Sequence, residues 1–580
     1  MSLKPEFVAL LRNNDIPSET TKLEVKESLK VQLNELQEID IEIQRLYELV
    51  DTMKTKRETI LKRIYDHNII LAPARRLPLD VLHEIFFHCL PAHRNPIMKS
   101  SESPLLLTRI CSSWRAIALS SPRIWSKIHI PLPGDPSFTP RDEIITDGLS
   151  RRRQKIASVL QLRCDAVRRW LSRSGTCPLS ISIHHPSYSY VPYSKVQELS
   201  YEMFDILLSF ADRWSDVDLS MPEDIYTQLQ GNTQPTTFSS LKSLKLNLRR
   251  KFHSNSQSPP IRLLAAPGLC SITISATQTT YNMMGKLVQP IWNQLTHITL
   301  ASATIDIHLV PLLRQCPNLV FGNFMVIPSH RPDEPIEDQE DILLPCLESL
   351  AVNDSGSPET MTIIFNAIKA PALTKLSYQW TISGPYYDYS TILLLPAPMI
   401  PLLSNSTLIS HLILDGRLSS QDTQECLRGE WVTHLVFGKP PHPDVYYPSL
   451  VDQDLEHPDV FDLKLLSIGS SLVTPLPRLE SLEAYYLASL TDEDLLNVII
   501  SRINAFKRGE IAALKSVKIY FHRLMQKDIT EDVSRLAKEA GIELKLDLAY
   551  GSLAPRFTDP LSPSFGLTSN DSIWSSEIIF

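Results

Sequence analysis

The chain has 580 residues, 43% of them hydrophobic and 21% charged, which is enough for two or three packed units. A net charge of -8 and a pI near 6.1 deny it the basic footprint that a nucleic-acid or anionic-membrane surface needs. Its 8 cysteines include no Cys-x-x-Cys pair, which argues against a zinc site or a disulfide framework and for thiols in a reducing compartment.

Residues 1–21 read as a flexible N-terminus with no apolar signal-peptide core. A heptad pattern follows over 22–70. Leu29, Leu36, Ile43, Val50 and Ile64 share one core position and Ile39, Leu46, Met53 and Ile60 the other, interrupted by Gln32 and Arg57. With no Pro or Gly between Lys22 and Asn68, this predicts a coiled-coil helix. Two partners fit its apolar stripe: a second copy, giving a homodimer through residues 22–68, or the body of the same chain. Pro73 ends the helix.

Residues 73–130 carry Leu77-Pro78, then Val81, Leu82, Ile85 and Phe86 at helical spacing behind a possible cap, Asp80. A second amphipathic helix is expected from about Leu106 to Leu119, holding Leu107, Cys111, Trp114 and Arg115, and Pro122-x-x-Trp125 closes the segment. Both helices are too short to be stable alone and need a shared core or a partner. A long connection with prolines, Pro91 to Pro104, separates them. This stretch resembles an F-box. The resemblance implies docking to the adaptor subunit of a cullin-based (SCF-type) ubiquitin ligase through Leu77, Pro78, Val81, Leu82, Ile85, Phe86, Leu107, Cys111, Trp114, Arg115 and Trp125. The plainer reading of the same residues is a helical hairpin with ordinary core tryptophans.

Residues 131–175 read as a Pro-rich linker leading into a basic amphipathic helix from about Arg141 to Arg173. Arg151, Arg152, Arg153 and Lys155 fit either a solvated basic face or a nuclear import signal, while Ile156, Val159, Leu160, Val167, Trp170 and Leu171 form an apolar face.

From 176 to 550 a short pattern recurs: apolar, two variable, apolar, one variable, apolar. Examples are Trp214-Val217-Leu219, Leu241-Leu244-Leu246, Leu269-Ile272-Ile274, Leu295-Ile298-Leu300, Leu347-Leu350-Val352, Leu373-Leu376-Tyr378, Ile409-Leu412-Leu414, Val432-Leu435-Phe437 and Leu514-Val517-Ile519. The first intervals are 27, 28 and 26 residues, and the 52-residue gap before Leu347 leaves room for a degenerate unit near Leu319. That period suits an α/β leucine-rich-repeat solenoid, with one short parallel strand per unit and return helices such as 311–316 and 362–368. It is irregular: where such repeats commonly carry Asn after the strand, this chain has Arg249, Thr277, Ala303 and Ser355.

The combination is similar to F-box proteins with leucine-rich repeats. Trp170-Leu171-Ser172-Arg173-Ser174-Gly175, followed by Pro178-Leu179-Ser180-Ile181, resembles the large F-box families of mushroom-forming fungi. The resemblance implies that the repeats capture a target protein. On stacked strands the variable motif positions line one face, here Lys245, Asn247, Thr273, Thr299, Ser377, Gln379, Asp415, Glu483 and Tyr485. The set holds no Arg cluster, so a phosphorylated target is not favoured over an ordinary protein surface.

Enzyme signatures are missing: no Gly-rich phosphate loop, no Gly-x-Ser-x-Gly, no His-Glu-x-x-His. His-Pro-Asp-Val occurs at His442 and again at His457 in a Pro/Tyr-rich stretch and reads as turn chemistry. The greasiest stretch, Thr391 to Leu403, is short and broken by three prolines, so no membrane partner is expected. The acidic run Asp333 to Asp341 reads as a mobile loop, and residues 551–580 as a disordered tail. The expectation is a non-enzymatic chain without metal or cofactor, working in the cytoplasm, the nucleus or both.

Overall fold

The computed structural model describes residues 5–12, 15–71, 73–133, 146–185, 194–222, 225–226, 238–249, 261–277, 292–327, 341–355, 358–380, 396–415, 418–438, 462–469, 474–487, 490–521 and 523–550. The C-terminal tail, both His-Pro-Asp-Val segments and residues 333–340 of the acidic run lie outside them. The chain divides into two compact units, Met1–Leu82 and His83–Phe580.

In the first unit α1 (Pro5–Leu10) precedes α2 (Glu19–Leu71), a helix of 53 residues. It begins three residues before the expected start because Ser18 caps it, its Oγ accepting the Thr21 N–H at 3.2 Å. It ends two residues before Pro73, and none of its residues is buried. A 3-10 turn, Pro73–Arg76, leads to α3 (Leu79–His88), which follows Pro78 and carries Asp80 in its first turn.

In the second unit the expected helix 106–119 is two: α4 (Leu107–Ile110) and α5 (Ser112–Leu119). Cys111 breaks them apart with extended backbone (φ -155, ψ 170) and caps α5, its Sγ accepting the Trp114 N–H. Arg115 Nε donates to Thr108 O at 2.7 Å and so braces α5 against α4. The 3-10 turn Pro122–Trp125 then feeds directly into β1 (Lys127–Pro131).

The expected boundaries therefore shift: the sheet starts at Lys127, not after 175. β1 pairs in parallel with β2 (Leu179–His184), and a parallel pair needs a crossover. The supposed linker helix supplies it as α6 (Thr146–Arg173). Ile156, Leu160, Val167 and Leu171 are buried, and Trp170 meets Trp125 edge-on at 4.9 Å. The side chains of Arg151, Arg152 and Arg153 lie outside the described residues.

After α7 (Ser194–Leu208) come β3 (Trp214–Pro222), β4 (Ser243–Arg249), β5 (Ser271–Thr277), β6 (His297–Ile305), β7 (Phe321–Ile327), β8 (Ile342–Leu343) and β9 (Ser349–Asp354). Then follow β10 (Ile368–Lys369), β11 (Lys375–Trp380), β12 (His411–Leu414), β13 (His434–Phe437), β14 (Ser481–Leu487), β15 (Ser516–Phe521) and β16 (Lys545–Tyr550). Fourteen strands form one parallel sheet in chain order; β8 and β10 form a separate pair. Helices Asp306–Arg314, Pro358–Ala367 and Asp492–Lys507 occupy three of the crossovers. The protein is thus a helical N-terminal part followed by a large parallel α/β sheet.

The recurring motif becomes a set of ladders. Its second apolar residue aligns across neighbouring strands, Ile128 with Ile181, Val217, Leu244, Ile272 and Ile298, and later Leu350, Leu376, Leu412, Leu435, Leu482 and Val517. All are buried, because a period of two sends them to the same face. The gap before Leu347 holds β7, where Gly322 takes this position. A Cβ there would lie 2.7 Å from the Phe324 ring, so the bulk missing at one position is supplied by the next core residue.

The connection 91–104 is built onto the β1 edge. Arg94 and Glu102 pair through two hydrogen bonds (2.9 and 2.6 Å), and Glu102 accepts the Ile97 N–H. The His129 N–H donates to Pro96 O at 2.9 Å, and Asn95 bonds Ser180 and Ser182 of β2. This covers an edge that would otherwise offer unpaired backbone groups.

Candidate functional site

Two surfaces qualify. The first lies on the helices around Phe86. Phe86 and Leu107 are buried, and Trp114, half-buried, lies 4.9 Å from the Phe86 ring. Ser121 Oγ bonds His83 Nδ1 and donates to Ile117 O, both at 2.6 Å, and the Arg123 guanidinium sits 3.8 Å over Phe87. With this frame fixed, Ile85 (37%), Leu106 (40%), Ile110 (52%) and Leu119 (39%) remain exposed. A packed frame bearing open aliphatic side chains is what a protein partner can cover.

Of the residues expected to meet an adaptor, Leu77, Pro78, Val81, Ile85, Cys111 and Arg115 are exposed. Leu82, Phe86, Leu107 and Trp125 are instead interior, their side chains taken up by the chain's own packing. Trp125 is 0% exposed, donates its Nε1–H to Ala118 O at 2.7 Å, and opens the first strand motif, Trp125-Ile128-Ile130. Cys111 Sγ and Arg115 Nε, though their residues are exposed, are engaged in the cap and the brace already described. Leu106, Ile110 and Leu119 were not among the expected residues; the signal for their exposure was the stripe left over once the inward-facing positions are removed.

The second surface is the sheet face opposite the buried ladders. Lys245, Thr273 and Thr299 stand in one row, and Ser377 and Glu483 hold the same motif position further along. Asn247, Gln379 and Tyr485 lie two residues on, Asp415 one past β12. Several are committed within the sheet. Lys245 pairs with Asp218 at 3.2 Å, Gln379 donates to Gly438 O, and Asp415 accepts the Trp380 N–H at 2.8 Å. Ser377 and Tyr485 are buried, and the Tyr485 hydroxyl donates to Glu483 at 2.6 Å. Burial, with that bond to a carboxylate, raises the Tyr485 pKa.

Two residues before this row the face carries a feature not anticipated. His411 and His434, aligned on β12 and β13, stack at 4.1 Å and within 5° of parallel. Their Nδ1 atoms bond Ser410 Oγ and Thr433 Oγ1. Burial, then the neighbouring His434 and Lys375, lowers His411 to about 4; burial lowers His434 too. Both rings are therefore neutral near pH 7. The legible signal was a Ser/Thr-His pair at one motif position, in Thr296-His297, Ser410-His411 and Thr433-His434. Among the described residues no group of three His, Cys, Asp or Glu side chains is placed to hold a metal ion, and no helix is long and apolar enough to cross a membrane.

The chain matches no protein-family model and no curated protein. Among solved structures it is similar to a crystal structure of a protein from Bacteroides fragilis, at 11% identity over 64% of this chain and 88% of that one, with a TM-score of 0.27.

Proposed function

We propose that this chain is a substrate-recognition subunit of an SCF-type cullin ubiquitin ligase. Its helices from Leu77 to Leu119 dock the adaptor, and the parallel sheet captures a target protein. The observation that carries this reading is the exposed aliphatic set Ile85, Leu106, Ile110 and Leu119 around a buried Phe86, within a segment that resembles an F-box. The sheet is read as an irregular leucine-rich-repeat solenoid, supported by one strand per unit and a continuous buried ladder. A long face of mostly half-buried polar side chains suits a folded protein target, and the ligase role leaves bond-making to the ubiquitin-charged enzyme, with this chain supplying proximity.

The test is co-purification with the adaptor subunit. The intact chain is expected to retain it, and the Ile85→Lys, Ile110→Lys double variant to lose at least tenfold in affinity while staying folded. If the intact chain binds no adaptor, the reading fails and an interaction scaffold outside ubiquitination takes its place.

A further inference from the structure

The helix α2 presents Leu29, Leu36, Ile43, Val50 and Ile64, and Ile39, Leu46, Met53 and Ile60, all exposed by 44% or more. Leu33, Leu49 and Leu61, which flank that stripe, are exposed too. A stripe of this length in water calls for a second helix. The flanking charges decide which one and in which direction.

We infer that the protein is a homodimer through α2, with the two helices antiparallel and crossing at Glu48. In that register the core layers are Leu36 with Ile60, Ile43 with Met53, and Val50 with Leu46, each occurring twice by symmetry. Arg57 faces Ile39 of the other copy, not another Arg57, and its aliphatic stem covers that layer while the guanidinium reaches water. The flanking positions then pair Glu35 with Arg63, Glu42 with Lys56 and Asp40 with Lys54, again each twice, and Leu33 with Leu61 and Leu49 with Leu49. No like charges meet at these positions.

The alternatives fare worse on the same residues. Sliding the antiparallel pair by one heptad either way keeps only Glu42 with Arg63 or Glu35 with Lys56. A parallel, in-register pair sets Glu35 against Asp40 and stacks Arg57 on Arg57 in the core, with no opposite charges in compensation. Exposed charge pairs add little affinity, but orientation is chosen by such differences. Glu42 also bonds Arg45 within its own helix, at 2.9 Å, an exposed contact that can exchange. The antiparallel arrangement separates the two Leu71 ends by about 70 Å, taking 1.5 Å per residue.

The experiment uses the full chain, with the exposed Cys89, Cys111 and Cys346 changed to Ser. Sedimentation is expected to give twice 65.7 kDa, falling to a single chain in Leu46→Glu. Under mild oxidation Ile43→Cys and Met53→Cys are expected to cross-link when mixed, and neither alone. A monomeric intact chain, a dimer that survives Leu46→Glu, or cross-linking of Ile43→Cys with itself would overturn the proposal.

Discussion

Between Leu79 and Leu119 six large apolar side chains stand exposed; among the described residues from Lys127 to Tyr550, over ten times that span in sequence, there are seven. The sheet buries what its sequence pattern points inward, because each strand's ladder is completed by the next strand of the same chain. The short helices cannot do this, since their inward stripes are used up on Phe86, Leu107 and Ala118 and a second stripe is left over. Self-completing repeats and unfinished helices are two uses of one apolar composition, and the second is the one that asks for a partner.

The sharpest way to break the contrast is at the junction, where Trp125 belongs by sequence to the helices and by packing to the sheet. Trp125→Ala removes a fully buried side chain that meets Trp170 and lies under the Arg173 guanidinium, and is expected to cost about 3–5 kcal/mol in urea unfolding. A loss under about 1 kcal/mol would return Trp125 to the surface.

Next in size is Arg502, 1% exposed, whose guanidinium donates to Leu466 O, Pro475 O and Leu476 O and holds the turn in which Leu476 sits at φ 43. Burial lowers its pKa to about 10, so it remains charged at pH 7. Arg502→Met takes the guanidinium donors from the Leu466, Pro475 and Leu476 carbonyls, of which Leu476 O keeps the Leu479 N–H, and is expected to destabilise by about 2–4 kcal/mol in the same assay. A neutral outcome would mean that water reaches this turn and that the sheet is less self-contained than the contrast requires.

Two pH windows sharpen it further. Burial alone would raise the pKa of Asp492, but hydrogen bonds from Arg523, the Lys527 and Gln526 N–H groups and Tyr550 outweigh it and hold the carboxyl below its ordinary value. Its contribution is present above the unfolded carboxylate pKa and is lost as pH falls through the lower folded value. His411, lowered from 6.5 to about 4, contributes stability above pH 6.5 that is lost as pH falls toward 4. Denaturation midpoints should therefore drop in two stages, the upper one reduced in His411→Phe, with His434 supplying the remainder, and the lower one reduced in Asp492→Asn. A profile that both variants leave unchanged would remove these groups from the account.

How far the chain could be read in advance follows the same division. Strand positions were legible because a period of two and a repeat near 27 residues leave little freedom, as Leu244, Leu246, Ile272 and Ile274 illustrate. The first strand was not, because Trp125-Ile128-Ile130 has the repeat spacing but ends a helical segment, and the prolines from Pro131 to Pro140 disguised a crossover as a linker. Burial of Ser377 and Tyr485 was illegible, since alternation assigns a face but not what neighbouring side chains on that face will cover. On the helices, spacing located the stripes without saying which would be filled from within; Ile85 and Phe86 are adjacent in sequence and opposite in fate.

The smallest expected effect is the most discriminating. Ile110 is 52% exposed at the last position of α4, where a cation suits the helix dipole. Ile110→Lys should change stability by no more than about 0.5 kcal/mol, as at surface positions without packing roles. A core residue of the sheet at similar size, such as Ile272, should lose several times that on truncation to Ala, about 2–5 kcal/mol. Equal costs at the two sites, measured by urea unfolding, would mean that Ile110 is packed in solution and that the helical segment is complete without a partner. A near-zero cost at Ile110 leaves its apolar side chain with no role in folding, which is the result the docking proposal requires of a residue open to another molecule.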